Sequence, residues 1–286
     1  MSNAIEITNE EFVEKKKRGK IYTFWSPQVG SGCTFISYRF AKTLAEQGRR
    51  VCMLDFDLKT PTLTKNFNLK DTLHYMDNLL PYAEVGNPSK EVFDSYVQKI
   101  EENLYFIAGN NNTDQAMDIQ TKGLEFIVNK LAEEFEFVVI DTNSYIDNAG
   151  TFVGLYMADQ VYTLIEKKIQ SIHSYDYAKP IVENKSVMDA SKFTLVLNKV
   201  DKNILLSNSE VEKYFGKTTS YEIINLGVDY INDQNIGRGE EFLTVSKKAK
   251  PFKDSLNNLI KETVKIEVEN KAVSKKKGLF GRKGGK

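Results

Sequence analysis

The stretch from Ile21 to Asp57 constrains the fold more than any other part of the chain. Ile21–Ser26 is a run of β-branched and aromatic residues that stops at Pro27, as expected of a strand buried on both faces. Gly30-Ser31-Gly32 follows. Cys33–Gln47 then places Phe35, Ile36, Phe40, Leu44 and Ala45 near helical spacing, and Gly48 supplies a natural stop. Val51-Cys52-Met53-Leu54 is a second buried strand, ending at Asp55-Phe56-Asp57. Strand, glycine loop, helix and strand in this order seed a parallel sheet, because parallel neighbours need a crossover of helix length.

The pattern continues along the chain. Leu104–Ala108, Phe137–Ile140, Gln160–Ile165 and Phe193–Leu197 read as further strands. Leu124–Phe135, Ser209–Phe215 and Phe252–Val268 read as helices, as does a stretch near Ser171–Asn184 that Pro180 either begins or interrupts. Continuous apolar strands alternating with helices predict an α/β fold: a doubly wound, mostly parallel sheet with helices on both faces. Lys59–Ser95 and Asp201–Lys250 show no clear period.

This core is expected to occupy residues 20–270 as one domain, after a polar segment over 1–19 and before a flexible basic tail over 271–286. The segment Met1–Lys20 has no apolar run of the kind that opens a secretory signal, and no stretch has the ~20 apolar residues needed to span a bilayer. Two cysteines, Cys33 and Cys52, make neither a disulfide framework nor a zinc site. A cytoplasmic location follows as the expectation. With 39 basic and 39 acidic residues the chain has no global field to attract nucleic acid or membrane. Any such contact falls to Lys275–Lys286, whose cations surround Leu279 and Phe280. That segment reads as a peripheral anchor at the inner membrane face, as a nonspecific nucleic-acid contact, or as a solvated end.

Ligands of parallel α/β sheets bind at the carboxyl ends of the strands. Four features fall there: the glycine loop, the Asp55/Asp57 pair, Asp141 and Asn198. The loop reads Gln28-Val29-Gly30-Ser31-Gly32-Cys33-Thr34-Phe35. Its glycines let backbone N–H groups turn around an anion, the following helix adds a favourable dipole, and Thr34 offers a hydroxyl to magnesium. Asn198-Lys199-Val200-Asp201 is an N-K-x-D sequence, which reads the base in guanine-nucleotide proteins; a plain strand end and turn is the simpler reading. Asp159 reads as a structural residue at a strand start, and His74 and His173 are isolated.

The order of these elements resembles the ParA/MinD family of deviant-Walker P-loop ATPases. That family's loop reads K-G-G-x-G-K-[ST]-T. Here Gln28 stands at the first lysine, Val29 at the first glycine, Cys33 at the second lysine and Thr34 at the metal hydroxyl. Leu54-Asp55-Phe56-Asp57 is similar to its D-x-D motif, and Val138–Thr142 to its Walker B strand. The resemblance covers about Lys20 to Lys265. It implies a P-loop fold with ATP and Mg2+ as cofactors, a homodimer, and protein partners in a larger assembly. By the same resemblance, nucleotide falls to Gln28, Gly30, Ser31, Gly32, Cys33, Thr34, Phe35, Asn198 and Asp201. Metal falls to Thr34, Asp55 and Asp141, and water positioning to Asp57.

Both departures remove positive charge. Losing a lysine that neutralises phosphates in the transition state costs roughly two to four kcal/mol, enough to cut turnover about a hundredfold. The expected function is therefore a positioning or assembly factor for secretion, pilus, conjugation or cell-pole machinery, with weak or no hydrolysis. Altered loops of this kind occur in the TadZ/CpaE-like branch. An active partition ATPase and a nucleotide-free scaffold are the alternatives. A P-loop tyrosine kinase lacks support, because the tyrosines are scattered rather than clustered at the C-terminus.

Overall fold

The computed structural model describes residues 18–66, 74–86, 88–184 and 186–264. The basic tail, most of the polar segment over 1–19, and the end of the helix expected at Phe252–Val268 lie outside the described residues. The strands are β1 (Lys20–Trp25), β2 (Val51–Phe56), β3 (Gln98–Glu101), β4 (Leu104–Ile107), β5 (Phe137–Thr142), β6 (Gln160–Glu166), β7 (Phe193–Val200) and β8 (Thr219–Ile224). They form one sheet in the order β3-β4-β2-β5-β1-β6-β7-β8. Every pairing is parallel except β3 with β4 at one edge. The fold is therefore the doubly wound, mostly parallel α/β sheet that the strand pattern predicts.

The central strands are buried on both faces, and alternate side chains divide between two layers of helices. Tyr22 and Phe24 of β1, Met53 of β2 and Val139 of β5 pack beneath Phe40 and Leu44 of α1 (Cys33–Glu46). Ile21, Cys52, Leu54, Val138 and Ile140 face the other way, toward Leu124, Ile127 and Leu131 of α5 (Thr121–Glu134). Between α1 and α5 lie α2 (Leu63–Asn66), α3 (Met76–Glu84) and α4 (Lys90–Tyr96). Then come α6 (Ala149–Met157), α7 (Ile169–Val182), α8 (Asn208–Phe215), α9 (Gly227–Asn235), α10 (Gly239–Val245) and α11, over 250–264.

Several expectations sharpen against the structure. Pro180 lies inside α7; it has no N–H to give the preceding turn, and the helix ends two residues later. Asp159 anchors the start of the sheet: it accepts the Ile21 N–H at 2.9 Å and pairs with Arg18 and Lys20. The stretches without a clear period hold real elements. Lys59–Ser95 contains α2 and α3 and most of α4, and Asp201–Lys250 contains α8, β8, α9 and α10. The two edge strands, β3 and β8, carry alternating half-exposed residues and so lack the continuous apolar run that marks the centre.

Candidate functional site

The carboxyl ends of β1, β2 and β5 open into a cavity of about 980 Å³. The loop from Gln28 to Phe35 forms one wall. Asp57, Thr60, Thr62 and Lys65 form a second, and Tyr230, Gln234 and Glu240 from the α9–α10 region a third. The sheet brings these together from distant parts of the chain because its strand order puts β5 and β1 between β2 and β6.

The loop owes its shape to two glycines in the left-handed region. Gly30 has φ 81° and Gly32 has φ 92°, a conformation that costs other residues about 1–2 kcal/mol. A methyl group at Gly32 would also meet Asn198 Nδ2 at 2.9 Å. Inside the loop, Ser31 Oγ donates to Gln28 O at 2.7 Å, Ser26 Oγ donates to Ser31 Oγ at 2.8 Å, and the Gln28 N–H donates to Ser26 Oγ at 3.1 Å. Among the described residues, no hydrogen bond is made by the N–H groups of residues 30–35. They lie at the N-terminus of α1, where unpaired donors and the helix dipole both favour an anion.

The two positions expected to lack charge are occupied in different ways. Gln28 turns its side-chain oxygen to the Ser171 hydroxyl at the start of α7. The Cys33 thiol is pushed well above its usual value by burial first and the Asp141 carboxylate second, with Lys199 opposing. It is therefore a neutral thiol near pH 7, which disfavours a nucleophile or redox role.

Asp55 and Asp141 are register partners on β2 and β5 and are both buried under the cavity floor. The Asp55 carboxylate accepts N–H bonds from Asp57 at 3.2 Å and Leu63 at 3.1 Å. Burial, and then the Asp141 charge, nevertheless raise its pKa well above the ordinary range. Burial pushes Asp141 up to about 7, with the Thr34 hydroxyl opposing. One oxygen of Asp141, Oδ1, is buried without a hydrogen-bond partner. A hard cation would satisfy that oxygen, and magnesium is commonly bound by one or two carboxylates with phosphate and water. Among the described residues there is no cluster of three or more His, Cys, Asp or Glu side chains that could hold a metal unaided. Asp57 lines the cavity but is already engaged by Thr60, through its N–H and hydroxyl, and by Asn143 Nδ2 at 2.8 Å.

Asn198 and Asp201 part company. Asn198 is buried behind the loop and donates to Ser31 O at 2.7 Å. Asp201 caps the turn after β7 by accepting the Asn203 N–H at 2.8 Å, and it is not among the described residues that line the cavity. Three features escaped the sequence reading. Arg39 of α1 lines the cavity, forms a two-pronged bond to Glu240, and lies over the rings of Phe35 and Tyr38. Its spacing after Thr34 gives no signal, because Glu240 is distant in sequence. Lys65 reaches the cavity from the single turn α2. Lys199 reaches the loop from behind, donating to Gly30 O at 2.6 Å and to Glu166 at 2.7 Å.

No protein-family model matches the chain. It is similar along most of its length to septum site-determining protein MinD of Buchnera aphidicola, with 23% identity over 287 residues, covering 92% of this chain and 99% of that protein. MinD of Thermotoga maritima is 24% identical over 266 residues, covering 90% and 94%. Among solved structures, a ParA family ATPase from Chlorobium tepidum superposes with a TM-score of 0.72 at 20% identity, covering 86% of this chain and 99% of that one. The Pyrococcus furiosus cell division ATPase MinD gives 0.69 at 17%, covering 87% and 99%. MinD from Pyrococcus horikoshii complexed with Mg-ADP gives 0.67 at 15%, covering 84% and 96%.

Proposed function

From the chain's membership of the ParA/MinD family, we propose that it is a nucleotide-responsive positioning or assembly factor that binds ATP and magnesium and hydrolyses ATP weakly or not at all. One observation carries this reading: the unpaired amides of residues 30–35 at the start of α1 persist while both lysine positions hold uncharged side chains. Binding a phosphate needs mainly the backbone donors and the helix terminus. Accelerating its transfer needs charge delivered to the transition state, and neither Gln28 nor Cys33 supplies it.

Thr34, Asp141 and Asp55 behind it are the groups that would hold magnesium. Bound there, the ion would neutralise phosphate charge in place of the missing lysines. Asp57 would orient water only after giving up its bonds to Thr60 and Asn143, a further reason to expect slow turnover. A homodimer, protein partners in a larger assembly, and an anionic surface met by Lys275–Lys286 complete the proposal. A cytoplasmic location, peripheral at the inner membrane face, belongs to the same proposal; among the described residues no helix is long and apolar enough to cross a membrane.

The test is calorimetric titration of the full chain with ATP, ADP and GTP, with and without magnesium, beside a turnover assay. Magnesium-dependent ATP binding in the micromolar range with turnover near background is the expected result. Turnover well above background would instead make the chain an active partition-type ATPase. No binding at millimolar nucleotide would leave a scaffold that keeps the fold for its surfaces.

A further inference from the structure

We propose that Lys199, together with Asn198, is a clamp that sets the phosphate loop in its anion-binding shape from behind, so that the chain keeps a working cradle without a lysine in the loop itself. The proposal rests on the nucleotide-binding reading above and adds the residues that hold the site ready.

The geometry begins in β7. Its pairing with β8 is irregular between Leu197 and Val200, and Lys199 has φ 53°. A lysine in this left-handed region costs of order 1 kcal/mol or more, and such strain persists only where the surroundings impose it. Here they turn the Lys199 side chain toward the loop. Its ammonium donates to Gly30 O at 2.6 Å and to Glu166 Oε1 at 2.7 Å. The Glu166 side chain is only 6% exposed, and Lys168 binds its other oxygen. Beside Lys199, the Asn198 amide donates to Ser31 O at 2.7 Å. Two successive loop carbonyls are thus held by two successive β7 side chains.

Peptide planarity carries that grip to the front of the loop. In a trans peptide the N–H points opposite to the carbonyl of the preceding residue, and none of the described peptides is cis. With the carbonyls of Gly30 and Ser31 drawn back toward β7, the N–H groups of Ser31 and Gly32 face the other way, on the side of the cavity that both residues line. Successive amides aimed at one point form an anion nest. Because Lys199 is spent on the loop carbonyl and Glu166, it acts on every phosphate the nest holds. It does not single out a terminal phosphate, as a lysine within the loop would.

That distinction sets the test. Full-length wild type, Lys199→Met and Lys199→Arg are titrated with Mg-ATP and Mg-ADP, and the loop amides of each unliganded protein are followed by NMR relaxation. Expected is an equal loss of about tenfold in ATP and ADP affinity for Lys199→Met, recovery in Lys199→Arg, and lower order parameters at Gly30–Gly32 in Lys199→Met with only a small fall in the unfolding midpoint. Unchanged loop order in Lys199→Met overturns the clamp, whether or not nucleotide binds. A loss confined to ATP also overturns it, since Lys199 would then be a terminal-phosphate ligand. If the wild type binds no nucleotide but its loop loosens in Lys199→Met, the clamp stands and the nucleotide reading fails.

Discussion

The two sides of the phosphate loop hold charge in opposite ways. In front, where a ligand would sit, Gln28 and Cys33 are neutral, and the acidic groups beneath them, Asp55 and Asp141, are buried with raised pKa values. The cations on that side are Arg39, tied to Glu240, and Lys65 on the rim. Behind the loop, Lys199 and Lys168 share the buried Glu166, and Asn198 completes the grip. Positive charge thus sits mainly on the scaffold side of the loop. Such an arrangement holds shape but offers little transition-state stabilisation, because a cation engaged with a carbonyl and a carboxylate has little field left for a phosphate.

The sharpest way to break this contrast is to put a cation at the front. Cys33→Lys would place an ammonium beside the Asp141 carboxyl at the N-terminus of α1. ATP affinity should rise, and turnover should increase about a hundredfold if the want of a cation there alone limits it. Calorimetry and a phosphate-release assay read the two effects. Unchanged affinity would mean that the front is closed for another reason, such as the bond between Gln28 and Ser171.

The buried carboxylates offer the largest effect on stability. In the fold Asp141 holds its proton up to about pH 7, whereas an unfolded aspartate loses it near 3.9. The folded state therefore binds more protons between these values, and this contribution to stability is fully present below about pH 4 and lost as pH rises to 7. Asp141→Asn should remove that loss. Its unfolding free energy should exceed that of the wild type by about 4 kcal/mol at pH 8 and converge with it near pH 4, in denaturant titrations at the two pH values. A constant difference across the range would show that Asp141 ionises freely in the fold, and the front of the site would then be less dry than its burial implies.

What could be read from the sequence follows the same division. β1, β2 and β5 were legible because burial on both faces demands continuous apolar runs, and their polar ends, Asp55, Asp57 and Asp141, stand out against them. The edge strands β3 and β8 were not, because one open side lets polar residues alternate into them. The loop residues Gly30, Ser31, Gly32, Cys33 and Thr34 were legible from glycine spacing and do gather on the cavity. The back was not. Lys199 was visible only as a letter in an N-K-x-D sequence, Ser171 only as the start of a helical stretch, and Glu166 not at all. Their partners are distant in sequence and depend on the strand order, which no local pattern encodes. Arg39 escaped for the same reason, since only the fold brings Glu240 to α1.

The two loop glycines separate shape from contact. At Gly30 a methyl group meets nothing within 4 Å, so Gly30→Ala costs only the strain of φ 81°, about 1 kcal/mol. At Gly32 the strain of φ 92° is joined by a collision with the Asn198 amide. Gly32→Ala should therefore cost about 2 kcal/mol and also displace Asn198 from Ser31 O. Denaturation midpoints compare the stabilities. Equal costs would mean that Asn198 moves aside freely and that its bond to the loop carries little.

The smallest expected effect lies behind the loop and has the opposite pH sign to that in front. Burial alone would raise the Glu166 pKa, but hydrogen bonds and charge from Lys168 and Lys199 outweigh it and bring it below the ordinary value. A lowered carboxylate contributes stability that is present above its unfolded pKa, about 4.3, and lost as pH falls through the lower folded value. Acidification should therefore loosen the back of the loop while favouring the protonated carboxylates in front. Because the two lysines are about half exposed, solvent screens the pairs and the effect should be about 1 kcal/mol or less. In Glu166→Gln the amide still accepts from one lysine but the charge is gone. Its stability should fall slightly short of the wild type's at pH 7, the gap should narrow on acidification, and 1 M salt should remove it only in part, because the Glu166 side chain is buried. A gap that vanishes completely in salt would place the whole contribution in the solvated ends of Lys168 and Lys199, and the grip on Gly30 would then owe nothing to Glu166.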